Sequence, residues 1–368
     1  MLRISELKSA TTIRQFYASR HFYEKGLGIV GVWGGFGAER LGLRGTVTRT
    51  KLEWLCENIH PVNGHRLTVR MQPGRTVAYT FRFSPCKSVS LLYGLYQDKA
   101  ILGAFRTAVI ETMREMEAEM KTRLRKGGHQ AERATGNMVW GEFIHTVATP
   151  VDGMCDPQLH AYLPVFNATW DEVEDCWKAG WFQDLVRDAP YFEAVFRSRA
   201  AHLIGSLGFK VRRKGKDFEI AGVPDELIGR FSRRTETIED KADVLGMTDP
   251  RAKGKLGPKT REGNVAAHWT PDALRWEWAG RLSHSEVRTL EEAYESRTQP
   301  SELTQSAGDI VSETLRRHRG RGAIPERCLV MEMLIAGMGD VTVESVRREL
   351  AKRPVERVGD GRECALLL

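Results

Sequence analysis

Two neighbouring stretches, "GNMVWGEFIHTVA" (136–148) and "PQLHAYLPVFNAT" (157–169), constrain this chain more than any other feature. Both are rich in β-branched and aromatic residues, and the Pro-, Asp- and Gly-containing segment between them has the composition of a strand-to-strand loop. Side chains two apart on a strand share a face, so His160 and Tyr162 project together. His145 lies on the strand that can pair with theirs, and the two imidazoles can therefore converge. Any fold of this chain has to accommodate that pair within a sheet.

The surrounding elements favour an α+β arrangement, a sheet with helices packed on it. "TVAYTFRFSPCKSVSLLYGL" (76–95) opens as an alternating strand and passes through Pro85 into an apolar run. Over residues 98–126, Ile101, Leu102, Phe105, Val109, Met113, Met116, Met120 and Leu124 follow a 3.6-residue period, which predicts a long helix ended by "KGG". Residues 189–209 read as a second amphipathic helix closed by Gly208, and "KVRRKGKDFEIAGV" as a basic hairpin. Residues 4–20 have helix-forming composition, and the Gly-rich stretch 26–45 reads as loop and turn. Three regions are expected: a core at 1–244, a Gly/Lys/Pro linker at 245–264, and a helical C-terminal segment at 265–368.

Charge and cysteine usage narrow the function classes. The net charge is +7 and the pI about 9.1. Basic residues bunch at 121–128, 210–216, 251–261 and 316–322, which makes nucleic acid the leading partner class. The six cysteines show no CxxC pair or zinc spacing and read as reduced thiols of a cytoplasmic protein. No apolar run reaches the ~20 residues that span a bilayer, and the N-terminus lacks the pattern of an export signal.

Histidines on adjacent strands can hold a divalent cation that polarises a phosphoryl oxygen. A hydroxyl nucleophile is available in "QFYASRHFYEKG", which contains Tyr17 and Tyr23, and attack by a tyrosine on a phosphodiester conserves the bond energy for religation. Taken singly, His145 reads as an ordinary strand histidine and Tyr17 as a core or interface tyrosine.

Together with "MLRISELKSA", "GFGAERLGLRG", "FSPCKSVS", "DPQLHAYLPVFNAT", "YFEAVFRSRAAHLIGSLGF", "FEIAGVPDELIGRFSRR" and "GDVTVESVRREL", in that order, these residues resemble the relaxase domain of the TrwC/TraI-type conjugative relaxases in the HUH endonuclease superfamily. The resemblance implies a five-stranded antiparallel sheet and a metal held by three histidines. It also implies a tyrosine that nicks single-stranded DNA at an origin of transfer and stays joined to the 5′ phosphate. Carried over by position, His145, His160 and Tyr162 fall at the metal-ligand places, with Mg²⁺ or Mn²⁺ expected, and Tyr17 and Tyr23 fall in the two tyrosine pairs.

This chain departs from the family pattern in three ways. Tyr162 stands where the family has its third histidine; Phe16 and Phe22 lead the tyrosine pairs; and the acidic position before "FS" is Thr80. The sequence therefore leaves two readings, a metal-dependent nicking and religating enzyme or a relaxase-like origin-binding protein without nicking. No GxxxxGK[ST] motif is found, so any helicase and conjugative transfer machinery is expected to be separate.

Overall fold

The computed structural model describes residues 1–11, 13–14, 27–69, 71–72, 74–126, 129–249, 253, 256–257, 269–297, 305–358 and 365–367. Its strands are β1 (Leu2–Leu7), β2 (Gly28–Gly34), β3 (Ala78–Phe83), β4 (Lys121–Lys126), β5 (His129–Ala134), β6 (Trp140–Val147) and β7 (Pro157–Phe166). Five of them form one sheet in the order β1-β3-β7-β6-β2, with every neighbouring pair antiparallel. This is the expected five-stranded antiparallel sheet.

Alternation divides the sheet chemically. Phe81 and Phe83 of β3, with Leu159, Ala161, Leu163 and Val165 of β7, enter the main apolar core. That core is covered by α1 (Lys87–Tyr96), α2 (Lys99–Ala118) and α3 (Ala189–Ser206); Phe83 meets Phe196 of α3 edge to face at 5.1 Å. Residues of opposite parity, Thr80, Arg82, Gln158, His160 and Tyr162, line the other side of the sheet.

Three expectations need correction. Residues 2–7 form strand β1 rather than the start of a helix, because Leu2 through Leu7 pair residue by residue with Phe83 through Ala78. The Gly-rich stretch is largely strand β2 followed by a short helix, Phe36–Arg40. Its glycines allow close approach: a Cβ on Gly31 would come within 2.4 Å of the Phe143 ring, and one on Gly35, at φ +98°, within 2.3 Å of the Met138 carbonyl oxygen. The helix expected to reach 126 ends at Ala118, although its start is fixed by Asp98, which caps Ala100 N. The Met120 carbonyl accepts Thr135 N and Gly136 N, and the chain turns there into the β4–β5 hairpin.

The basic hairpin is present as paired strands Val211–Lys214 and Asp217–Ile220. Beyond it lie α4 (Arg233–Val244), α5 (Pro271–Gly280), α6 (His284–Glu295), α7 (Ala307–His318), α8 (Glu326–Ala336) and α9 (Val343–Ala351). The C-terminal segment also carries a small three-stranded sheet built from Ala323–Pro325, Glu356–Val358 and Ala365–Leu367. Its helices contribute Ile310, Leu329, Met333, Val346 and Leu350 to the main core. Arg327 ties it to Glu119 and Asp188, and Arg347 ties it to Glu115. The five cysteines among the described residues form no disulfide. No described helix is long and apolar enough to cross a membrane.

Glu117 is a buried acid that ties α2 to the start of the short helix and to the approach to β6. Its carboxylate accepts Phe36 N at 2.8 Å and Met138 N at 2.7 Å. Burial pushes this carboxyl up to about 7 against backbone hydrogen bonds that lower it. The folded chain therefore holds a proton that the unfolded chain loses near 4.5. The resulting stability is present at low pH and drains away as pH rises from about 4.5 to about 7, by on the order of 3 kcal/mol. Urea midpoints over that range should fall for the wild type and stay flatter for Glu117→Gln; parallel curves would contradict the assignment.

Candidate functional site

His145 of β6 and His160 of β7 are direct cross-strand partners, and a register irregularity follows at His145/Val147. Their ring centroids are 5.0 Å apart and the planes nearly perpendicular, at 83°. His160 Nδ1 lies 3.1 Å from the Gln158 carbonyl oxygen, an acceptor only, which puts the ring proton on Nδ1 and the lone pair on Nε2. Burial first, then the positive charges of His160 and Arg82, hold the His145 imidazole well below its ordinary pKa. His145 is therefore neutral at physiological pH, the form that ligates metals.

Tyr162 shares their face. Its hydroxyl donates to Thr80 Oγ1 at 3.1 Å, and the Arg82 guanidinium lies 5.3 Å over its ring. Arg82 is the register partner of both Tyr162 and Arg3. Two positions that depart from the family pattern, Thr80 and Tyr162, thus touch each other.

This face is the floor of a cleft of about 750 Å³. Arg3, Arg82, Lys87, Arg234 and Lys253 line it, against Asp156 and Glu239. Helix α4 provides the opposite wall through Arg234, Thr235, Ile238 and Glu239. Glu239 pairs with Lys253, and Asp156 is engaged by Arg233 and Arg281, so the remaining field is positive.

Asp156 fastens wall to floor. It is 3% exposed and accepts Arg233 N, Arg233 Nε and Nη2, and Arg281 Nη1. Burial raises its pKa, but the hydrogen bonds from both arginines and the Lys87 charge outweigh that and keep it ionised. Lys87 donates to the Pro157 carbonyl at 2.7 Å, and burial lowers its ammonium to about 8.

Of the five residues expected at the site, the structure brings together His145, His160 and Tyr162. Tyr17 and Tyr23 lie outside the described residues. Arg82, Lys87, Asp156 and Arg234 were not singled out from sequence. For Arg82 a signal existed: it stands in "TFRF" with Thr80, out of phase with the two phenylalanines.

Do these residues fit the metal that the fold implies? Two neutral imidazoles converge as ligands should, while the third position holds a phenol engaged with Thr80. Among the described residues no group of three His, Cys, Asp or Glu could hold a metal ion. The site fits a cation through His145 and His160, and does not reproduce a three-histidine cage.

A five-stranded antiparallel sheet carrying a histidine pair on two adjacent strands under a basic cleft is the architecture of the relaxase class. The family model described as TrwC relaxase matches residues 8–285, and the chain belongs to that family. The "Multifunctional conjugation protein TraI" of Escherichia coli is 28% identical over 330 residues, covering 84% of this chain. The chain spans only 18% of that protein's length. Among solved structures, conjugative relaxase TrwC in complex with OriT DNA, metal-bound, aligns with a TM-score of 0.67 at 26% identity, covering 79% of this chain and 98% of that one. TrwC with a 27-mer DNA comprising the recognition hairpin and the cleavage site aligns at 0.64 and 26%, covering 79% and 99%.

Proposed function

We propose that this chain is a DNA relaxase that binds single-stranded DNA of an origin of transfer in the sheet-floor cleft, cuts one strand, and reseals it. The histidine pair carries this reading, since paired strands hold two imidazoles at the floor of a cationic cleft. TrwC structures that hold OriT DNA, one of them metal-bound, support it by likeness of fold.

In the reaction a tyrosine Oη forms a bond to phosphorus, the P–O3′ bond breaks, and the phenolic proton ends on the departing 3′ oxygen. The protein stays joined to the 5′ phosphate, and the reverse attack by a 3′ hydroxyl restores the strand. Tyr17 is assigned the first attack and Tyr23 the second. Both precede Leu27, whose carbonyl accepts Thr146 N and Oγ1, one residue from His145. Tyr23 is four residues from Leu27, at most ~14 Å of chain.

His145 and His160 would hold the divalent cation, and its chemistry when bound is to polarise a phosphoryl oxygen. Imidazole donors favour Mn²⁺ over Mg²⁺ here. Arg3, Arg82 and Arg234 attract and orient the phosphates, and Lys87 adds charge at the floor.

The test is a strand-cleavage assay on single-stranded oligonucleotides tiling an origin of transfer, with Mn²⁺. A detergent-stable adduct on the fragment with the new 5′ end is expected, and it should be absent in Tyr17→Phe. The phenol at the third ligand position favours a second reading, origin binding without cutting. It would give salt-sensitive binding and no adduct on the same bound oligonucleotide.

A further inference from the structure

The replaced ligand position and the neighbouring guanidinium have a joint consequence for the cation. Resting on the relaxase reading, we infer that the site binds its divalent cation conditionally, weakly through His145 and His160 alone and tightly once a DNA phosphate enters the cleft. Two imidazoles supply fewer donors than the four or more that borderline divalent ions take. The natural third donor, Tyr162, points its hydroxyl proton at Thr80. A neutral phenol is a poor ligand, and ionising it would break that donation.

Arg82 works in the same direction. Its guanidinium lies over the Tyr162 ring and lines the same cleft as His160, so a dication beside the histidines meets a fixed positive charge. A phosphodiester reverses both defects at once. Its oxygens supply missing ligands, and its charge offsets that of Arg82. Thr80, Arg82 and Tyr162 thereby act as specificity-determining residues that make the cation a sensor of loaded DNA.

Linkage makes the effect reciprocal: the factor by which DNA raises cation affinity equals the factor by which the cation raises DNA affinity. The experiment is a Mn²⁺ titration of the full chain, followed by the electron paramagnetic resonance signal of free Mn²⁺, with and without a saturating random-sequence single-stranded oligonucleotide at low salt. Affinity should rise at least ~10-fold with DNA, and oligonucleotide affinity by a similar factor with Mn²⁺. Both gains should vanish in His160→Ala, which separates this site from Mn²⁺ held by the DNA itself.

Thr80→Asp/Tyr162→His should tighten Mn²⁺ binding to the DNA-free chain at least ~10-fold and shrink the coupling. If that double variant does not fold, Arg82→Gln, at a half-buried position, should tighten DNA-free binding in the same direction. Equal Mn²⁺ affinity with and without DNA, no Mn²⁺ binding in either state, or coupling that survives His160→Ala would overturn the inference. The titration needs no cutting, so a chain that fails to form an adduct can still show the coupling.

Discussion

His160→Ala is expected to slow strand cleavage by roughly 10³-fold while leaving low-salt affinity for single-stranded DNA within ~3-fold. The separation follows from where the charges lie. Affinity for a phosphate chain comes from Arg3, Arg82, Arg234 and Lys87, which the substitution leaves in place. The rate depends on charge stabilisation at the reacting phosphorus, where loss of a Lewis acid removes several kcal/mol at about 1.36 kcal/mol per tenfold. His160 is half-buried and lies beside His145, so the fold should tolerate alanine there. Single-turnover cleavage and a binding titration on the same oligonucleotide decide the matter. A fall of less than ~10-fold in rate would remove His160 from the reaction.

Asp156→Ala should lower the unfolding free energy by about 3–5 kcal/mol. The carboxylate is buried, and its two arginine partners are 25% and 18% exposed, so removing it strands two guanidinium groups with little water to replace the lost bonds. The cost extends to the cleft. Arg233 begins α4 and Arg281 follows α5, and Asp156 on the approach to β7 holds both against the sheet. Urea denaturation of the variant should therefore show the lost stability, and Asp156→Asn should retain part of it. A loss under ~1 kcal/mol would mean that the apolar contacts of α4 and α5 hold the wall unaided.

The histidine pair was legible because β6 and β7 announce themselves by composition and because period-two alternation ties Tyr162 to His160. Their direct register was not, since it depends on the irregularity after His145. Strand β1 was hidden for a different reason. Ile4 and Leu7 satisfy a helical spacing, and only pairing with β3, some eighty residues away, makes "LRISEL" a strand. In β2 the glycines carried the wrong message: turn-forming residues in isolation, they serve here to let the Phe143 and Trp140 rings press on the backbone.

Long-range electrostatics were the least visible part. Asp156 meets Arg233 and Arg281 across 77 and 125 residues of sequence, and no local pattern encodes such a contact. The Tyr162–Thr80 contact was half legible. Each position stood out as a departure from the family, while their hydrogen bond across 82 residues required the sheet.

The most direct measurement is peptide mapping of the protein after reaction with a cleaved single-stranded origin oligonucleotide. Trypsin cuts after Arg14, Arg20 and Lys25, which puts Tyr17 and Tyr23 on separate peptides, 15–20 and 21–25. Mass spectrometry should find the 5′-phosphate fragment on peptide 15–20 in the first cleavage. Cut DNA with both ends free, or a nucleotide mass on a peptide lacking both tyrosines, would contradict the mechanism.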